Sequence, residues 1–256
     1  MNVVVIEIKR ALFSFRFILV IGVILAMFTR TMLDWSVFQV VGQMDVLSMS
    51  TYPMALSGFT PFAAIFPVLI YSTMFCEEYN SGFIKSIILR IGGKKYMLSR
   101  IFATAISGAA TIGISFSLLS VCLLVIGVPT TRENVQAFTN TIWWPYVQIG
   151  GGALVLLGKI VLGAMFGAVW GLVALYVSTI FANRYVTLIA PFVLYQALWV
   201  IFQRIPYLNP LLLLRGDYPA TGFVGSFLFI LIFQGVWILA LGYLSYRGME
   251  KKMEAY

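Results

Sequence analysis

The sequence contains no histidine, and charged residues make up only 10% of its 256 residues. Without histidine the chain cannot build a Ser-His-Asp triad or a histidine-ligated zinc site, which excludes two large classes of hydrolase. Its two cysteines, Cys76 and Cys122, lie in or beside apolar runs, so buried thiols are expected rather than a disulfide framework. The charged fraction is also far below the roughly one quarter that is usual in soluble domains.

What the chain has instead is apolar sequence, at 61% of residues with a mean hydropathy of +0.96. This excess is too large for one soluble core and predicts an all-α polytopic membrane protein. The formal charge of +8 has no polar domain to carry a nucleic-acid interface, so no nucleic acid is expected. Six stretches are apolar enough to be membrane spans, which makes residues 1–256 a single transmembrane domain: Phe17–Met32, Pro61–Cys76, Ile101–Val128, Gly150–Phe181, Tyr185–Phe202 and Gly222–Tyr246.

The distribution of basic residues predicts the orientation, because lysine and arginine accumulate on the cytoplasmic side. With the N-terminus in the cytoplasm, most of them fall inside, and the outer side holds only Arg30, Arg132, Lys159, Arg204 and Arg215. Six spans then place both termini in the cytoplasm. The fourth and fifth spans are joined by only Ala182, Asn183 and Arg184, which predicts a tight helical hairpin.

Three segments outside the spans carry their own patterns. Residues 1–16 read as an interfacial amphipathic helix, with Val5, Ile8, Leu12 and Phe15 on one face and Glu7, Arg10 and Ser14 on another. Residues 203–221 contain four leucines in a row, too few to cross a bilayer, and fit a re-entrant or interfacial segment. The loop from Thr130 to Gln148 carries Trp143, Trp144 and Tyr146, which suit the outer headgroup belt.

Residues 77–100 form a charged loop between the second and third predicted spans. Within it, isoleucines at three- and four-residue spacing predict a short helix with one apolar face, capped by Asn80 or Ser81 and stopped by Gly92. Such a helix needs a cover for that face: the membrane surface, the ends of other helices or a cytoplasmic partner. Glu77 and Glu78 precede it at the unfavourable end of a helix dipole, where Arg100, Lys94, Lys95 or the basic N-terminal helix could pair with them.

Two features of the fourth predicted span stand out. Gly163, Gly167 and Gly171 share one ridge and favour close helix packing, within the chain or at a dimer seam. Lys159 lies in the same span, and we expect it to extend toward the outer interface, with a substrate or proton-relay role as the alternative.

The pattern around Glu78 and Gly82, followed by a short helix, a glycine turn, a basic pair and another span, resembles that of ABC-2 type export permeases. The amphipathic N-terminal segment, the six spans and the apolar "YLNPL" at Tyr207–Leu211 are also similar to that family's plan. The resemblance implies a bacterial plasma-membrane exporter subunit that dimerises with a second permease chain, identical or not. It also implies that the loop after the second span carries a coupling helix that docks on a separate ABC ATPase.

The resemblance assigns roles to particular residues. It implies ATPase docking by Ile84, Lys85, Ile87, Ile88 and Arg90, with an anchor for the coupling loop formed by Glu77, Glu78, Gly82 and Arg100. A mechanical subunit of this kind is not itself an enzyme. It needs no cofactor of its own, since ATP and magnesium bind to the partner ATPase.

The sequence itself shows no ATP-binding motif, which agrees with ATP hydrolysis on a separate subunit. The glycine-rich stretch Gly151–Ile160 has the wrong spacing for a phosphate loop, and Ile160 stands where a magnesium-binding hydroxyl is needed. We therefore expect export of a hydrophobic peptide, antibiotic or lipid-like substrate, driven by ATP hydrolysis on another chain. There are three alternatives: an ion-coupled secondary transporter, a membrane enzyme and a non-catalytic membrane scaffold. The secondary transporter would have Lys159 as its only relay candidate.

Overall fold

The computed structural model describes residues 3–33, 46–126, 141–205, 207–216 and 226–254. These residues form twelve α-helices, which we number in chain order. They are α1 (Val3–Leu12), α2 (Phe15–Leu33), α3 (Val46–Leu56), α4 (Phe59–Phe62), α5 (Ile65–Tyr71), α6 (Met74–Asn80), α7 (Phe83–Ile91), α8 (Gly93–Ile126), α9 (Trp144–Ile180), α10 (Arg184–Ile201), α11 (Pro210–Arg215) and α12 (Phe227–Glu254).

Five of these helices are long and apolar enough to cross a membrane, which makes the chain an all-α, multi-pass membrane protein. They are α2, α8, α9, α10 and α12, and they correspond to five of the six predicted spans. The third predicted span begins earlier than expected, because α8 starts directly at Gly93 and takes up Lys94, Lys95 and Arg100. The hairpin between α9 and α10 is as tight as predicted, with Asn183 capping α10 through its side-chain oxygen.

The second predicted span is not one long helix but three short ones in succession, α4, α5 and α6. Pro67 explains the first interruption, because it has no N–H to donate to the carbonyl of Ala63 and its ring crowds that carbonyl. The residues at the breaks, among them Ala63, Ala64 and Ser72, nevertheless keep right-handed helical dihedral angles. The predicted beginning of this span at Pro61 is two residues late, since α4 begins at Phe59. The hydroxyl of the intervening Thr60 donates to the carbonyl of Met54.

Helix α9 is the centre of the bundle and packs along most of α8, with α5, α10 and α12 around it. The main core contains large side chains from many helices, among them Phe28, Phe59, Phe116, Trp170 and Tyr195. The outward faces of the long helices carry exposed residues such as Leu239, which suit contact with lipid.

Helix α1 is an amphipathic segment that packs on α8, with Ala11 buried and Ile8 and Leu12 against the core. Its faces differ from the predicted ones: Val5 and Phe15 are exposed, whereas Glu7 turns toward the bundle. Ser14 ends the segment, because its hydroxyl accepts from the N–H of Phe17 at 3.2 Å and so caps α2.

At the opposite end of the bundle, α11 is a six-residue helix within the predicted re-entrant segment, capped by Asn209 and ended by Gly216. Leu213 and Leu214 are buried, so this piece packs on protein. Residues 206 and 217–221 of that segment lie outside the described part of the chain. Trp143, which was expected in the outer headgroup belt, is instead buried against Phe227 and lies next to Gly158 and Gly216. Trp144 and Tyr146 belong to the first turn of α9 rather than to a loop.

Candidate functional site

Helix α7 lies between two glycines with positive φ, Gly82 at 70° and Gly92 at 83°. Gly92 is the stop that the sequence predicts, and side chains with a β-carbon rarely adopt this conformation. The predicted N-cap is wrong, because Gly82 occupies that position. The Ser81 hydroxyl instead donates to the carbonyl of Glu78, and the Asn80 amide donates to the carbonyl of Ala182 in the α9–α10 hairpin.

The two faces of α7 meet different surroundings. Ile84 is 1% exposed, and Ile87, Ile88 and Ile91 pack against the main core beside it. The cover that the isoleucine face requires is therefore the chain itself.

The opposite side of α7 we call the exposed face; it consists of Phe83, Lys85, Leu89 and Arg90. Phe83 is 59% exposed and Leu89 is 88% exposed. Of the residues assigned to docking from the sequence, Lys85 and Arg90 thus lie at the surface, whereas Ile84 does not and cannot contact a partner directly. The sequence did not single out Phe83 and Leu89 as surface residues, because the isoleucine repeat dominates the helical pattern.

Next to α7 lies a buried polar group that we call the arginine cluster: Glu7, Tyr71, Glu78, Tyr96 and Arg100. The Arg100 side chain is buried, and its Nη1 lies 3.1 Å from Oε2 of Glu7. Its Nη2 forms a second ion pair with Oε1 of Glu78. One guanidinium therefore joins α1, α6 and α8, which are distant in the sequence.

The two tyrosines complete the arginine cluster. The Tyr96 hydroxyl donates to Oε2 of Glu78 at 2.7 Å, and the Tyr71 hydroxyl donates to Glu7 and accepts from Arg100. The Arg100 Cζ also lies 5.4 Å from the ring centroid of Tyr71 and 5.1 Å from that of Tyr96, within the range of cation–π contacts.

Glu77, the neighbouring carboxylate, is outside this group and has different partners. Its Oε1 accepts from the Thr73 hydroxyl at 3.2 Å and lies 3.7 Å from Nε of Arg184 at the start of α10. The pair with Arg184 is half-exposed and longer than a hydrogen bond. Of the four residues predicted to anchor the loop, Glu78 and Arg100 are thus in direct contact, Gly82 begins α7, and Glu77 faces another helix.

The three ridge glycines of α9 all face α8. A β-carbon on Gly167 would overlap the carbonyl oxygen of Gly108, one on Gly163 would lie 2.7 Å from the Phe116 ring, and one on Gly171 would lie 3.2 Å from the carbonyl oxygen of Thr104. The ridge therefore serves packing within the chain. Gly108 is the partner that the sequence pattern did not single out.

Lys159 does not extend to an interface as expected but is buried, with 1% of its surface exposed. Its Nζ donates to the hydroxyls of Ser50, at 3.2 Å, and Thr51, at 2.5 Å, both on α3. These hydroxyls hold a charge that is costly to bury in a membrane protein.

A scan against protein-family models finds no match to this chain, and searches of the curated proteins and of the solved structures find none either. The fold and the span lengths define the class, which is a multi-pass helical membrane protein. In this protein the short helix α7, next to the arginine cluster, lies between the second and third predicted spans. Any more specific function has to be argued from the residues of that helix and its neighbours.

Proposed function

We propose that the chain is the permease subunit of an ATP-driven exporter of the ABC-2 type, which works with a separate ATPase subunit. The observation that carries the proposal is α7: a short helix between two glycine stops, with one face packed on the bundle and the other exposed. A helix built in this way can be moved as a unit by a partner and can pass that movement to the spans.

Docking is assigned to the exposed face of α7 rather than to its isoleucines. Phe83 and Leu89 supply apolar contact area, and Lys85 and Arg90 add positive charge on the same exposed face. Protein–protein interfaces combine apolar contact area with polar groups, and they are enriched in aromatic residues and arginine. The isoleucine face then has the second task of coupling α7 to the membrane helices.

The arginine cluster supplies the connection from the docking helix to the spans. Glu78 lies five residues before the first residue of α7 and is held by Arg100 of α8, which also holds Glu7 of α1. A force on α7 would therefore reach α6, α8 and α1 together, because the buried ion pairs resist separation. In this proposal Glu78 and Arg100 are positioning residues. No residue of the chain performs chemistry, because ATP and magnesium bind to the partner ATPase and ATP is hydrolysed there.

The proposal also implies a topology. The helices α4, α5 and α6 together would form the second of six spans, crossing the membrane as one interrupted helical segment with helical dihedral angles at its breaks. Both termini and α7 would then lie in the cytoplasm, on the side where basic residues accumulate. A second permease chain would complete the exporter, and a hydrophobic peptide, antibiotic or lipid-like molecule would be its substrate.

The test is co-purification of ATPase activity with the tagged full-length chain from its native membrane. We expect vanadate-sensitive ATP hydrolysis in the wild-type preparation and its loss, at equal permease yield, in Leu89→Asp. Phe181→Asp is the matched control, since Phe181 is also an exposed apolar residue, in the neighbouring hairpin, and should retain the activity. If Leu89→Asp retained the ATPase while Phe181→Asp lost it, α7 would not be the docking helix.

Lys159 favours a second candidate, an ion-coupled secondary transporter, because buried charges in spans are often parts of ion or proton pathways. Purified chain in sealed vesicles would then transport substrate with an ion gradient and without ATP, and Lys159→Met would abolish that transport. Uptake that requires both ATP and a second protein would exclude this candidate.

A further inference from the structure

A cleft of about 300 Å³ opens between α2, α5 and α10 at the end of the bundle where Glu77 lies. Its lining residues are Phe15, Arg16, Leu19, Val20, Leu69, Thr73, Arg184 and Leu188. Neither the docking helix nor the arginine cluster contributes to it, so the cleft is separate from the site described above.

The lining changes from polar to apolar over one helical turn on each wall. Arg184 lies four residues before Leu188 on α10, and Arg16 lies four residues before Val20 on α2. On the third wall Thr73, which follows α5, lies four residues after Leu69. Residues four apart are neighbours on one helical face, so the cleft has a polar rim and an apolar interior.

The rim carries net positive charge. Arg184 is half-exposed and faces Glu77 across 3.7 Å, a contact too long for a hydrogen bond. Arg16 forms no ion pair within the described residues, so its charge is not neutralised there. Two guanidinium groups thus lie at the polar end of a cleft whose deeper walls are leucine and valine, and the Glu77 carboxylate near Arg184 is not part of the lining.

We propose that this cleft binds an anionic glycerophospholipid, with the phosphate between Arg16 and Arg184 and an acyl chain along Leu19, Leu69 and Leu188. Guanidinium groups pair well with phosphate, and basic pockets between membrane helices are suited to anionic headgroups. The apolar walls specify a lipid over a soluble phosphate compound, because they stabilise an acyl chain and offer nothing to a small polar anion. The inference does not depend on the exporter proposal, since it requires only that the chain lies in a bilayer.

The experiment measures binding of phosphatidylglycerol to the full-length chain in detergent, by native mass spectrometry and by the shift in melting temperature. We expect saturable binding of phosphatidylglycerol, at least tenfold weaker binding of phosphatidylcholine, and no effect of soluble glycerol phosphate at the same concentration. Arg16→Gln and Arg184→Gln should each weaken phosphatidylglycerol binding about fivefold, on the scale of one basic side chain near an anionic headgroup.

Two further variants separate this site from general attraction to basic surface. Arg247→Gln removes an exposed arginine that likewise pairs with a glutamate, Glu250, but lies outside the cleft, and should leave binding unchanged. Leu188→Trp fills the apolar part and should weaken phosphatidylglycerol binding while both arginines remain. Melting temperatures without lipid identify any variant that fails to fold, and Arg16→Gln, which breaks no ion pair in the described residues, then decides the question.

Equal binding by wild type and Arg16→Gln, equal binding of the two lipids, or an equal effect of glycerol phosphate would each overturn the proposal. Loss of lipid binding together with retained ATPase co-purification would leave the exporter proposal intact. The reverse result would contradict the exporter and leave the lipid site standing, so the two proposals fail independently.

Discussion

Arg100 Nη1 lies 3.1 Å from Oε2 of Glu7, a residue 93 positions earlier in the chain. The same guanidinium pairs with Glu78, so one buried side chain of α8 holds α1 and α6 together. Removing the guanidinium would leave the buried Glu78 carboxylate without its ion-pair partner, and Glu7 would keep only the longer pair with the exposed Arg10, at 3.9 Å.

Arg100→Met is therefore expected to lower the free energy of unfolding by about 3–5 kcal/mol, the usual range when one member of a buried ion pair is removed. The measurement is equilibrium unfolding of the purified chain in a mild detergent titrated with dodecyl sulfate. Arg247→Met is the matched control, since Arg247 also pairs with a glutamate at 3.1 Å but is exposed, and its unfolding curve should stay close to that of wild type.

A second variant distinguishes lost charge from lost packing. Adding Glu7→Gln and Glu78→Gln to Arg100→Met removes the two carboxylates that Arg100 held, so the triple variant should recover part of the stability that Arg100→Met loses. A triple variant that is less stable than Arg100→Met would mean that the ion pairs are not the source of the loss.

The sequence predicts part of this cluster and misses the rest for identifiable reasons. Glu78 and Arg100 could be proposed as partners because a carboxylate at a helix C-terminus requires compensation. Glu7 could not, since the helical pattern of residues 1–16 groups it with Arg10 and Ser14 on a polar face. The turn of α1 onto α8 depends on tertiary contacts of Ile8 and Ala11, which periodicity alone does not specify.

In the fold, too, some elements can be predicted from the sequence and others depend on tertiary or backbone interactions. Long apolar runs such as that of α9 predict their own helices, because length and hydropathy suffice. The second predicted span differs since Pro67 interrupts the backbone hydrogen bonds of an otherwise helical segment, and a hydropathy pattern carries no record of that. The isoleucine repeat of α7 correctly predicted an apolar face. Which part of the molecule covers that face depends on the packing of the bundle, and the repeat alone does not specify it.

Ile84→Asp and Leu89→Asp are expected to behave in opposite ways. Ile84 is 1% exposed within the core, so a carboxylate there would be buried without a designed partner and should destabilise the chain by several kcal/mol. Leu89 is 88% exposed, and its replacement should change stability by less than about 0.5 kcal/mol. Melting temperature and monodispersity in detergent provide the measurement; similar losses in both variants would show that Leu89 is packed in the purified protein.

Gly167→Ala should destabilise the chain through the contact between α8 and α9. The added methyl group would overlap the carbonyl oxygen of Gly108, which belongs to rigid helical backbone, so the helices have to separate. The expected cost is about 1–3 kcal/mol, the range for overpacking. Gly22→Ala is the control, because its β-carbon would meet nothing within 4 Å. If both alanine variants unfolded at the same dodecyl sulfate fraction as wild type, the close approach of the two helices would be in doubt.

Thr51→Val tests whether the hydroxyls of α3 hold the buried ammonium of Lys159. Valine keeps the shape of threonine but removes the oxygen that lies 2.5 Å from Nζ, and hydrogen bonds to charged groups contribute about 1.5–3 kcal/mol. Thr29→Val is the isosteric control, since the exposed Thr29 hydroxyl donates to the carbonyl of Leu25 one turn earlier in its own helix. We expect the Thr51 variant to unfold at a clearly lower dodecyl sulfate fraction than the Thr29 variant.

The same substitution in a Lys159→Met background completes the cycle. Without the ammonium, the Thr51 hydroxyl loses its charged partner, so Thr51→Val should cost about 1–2 kcal/mol less there than in the wild-type background. That difference measures the coupling between the two side chains directly. Equal costs in both backgrounds would mean that the ammonium draws nothing from Thr51 and that the attachment of α3 to α9 has another source.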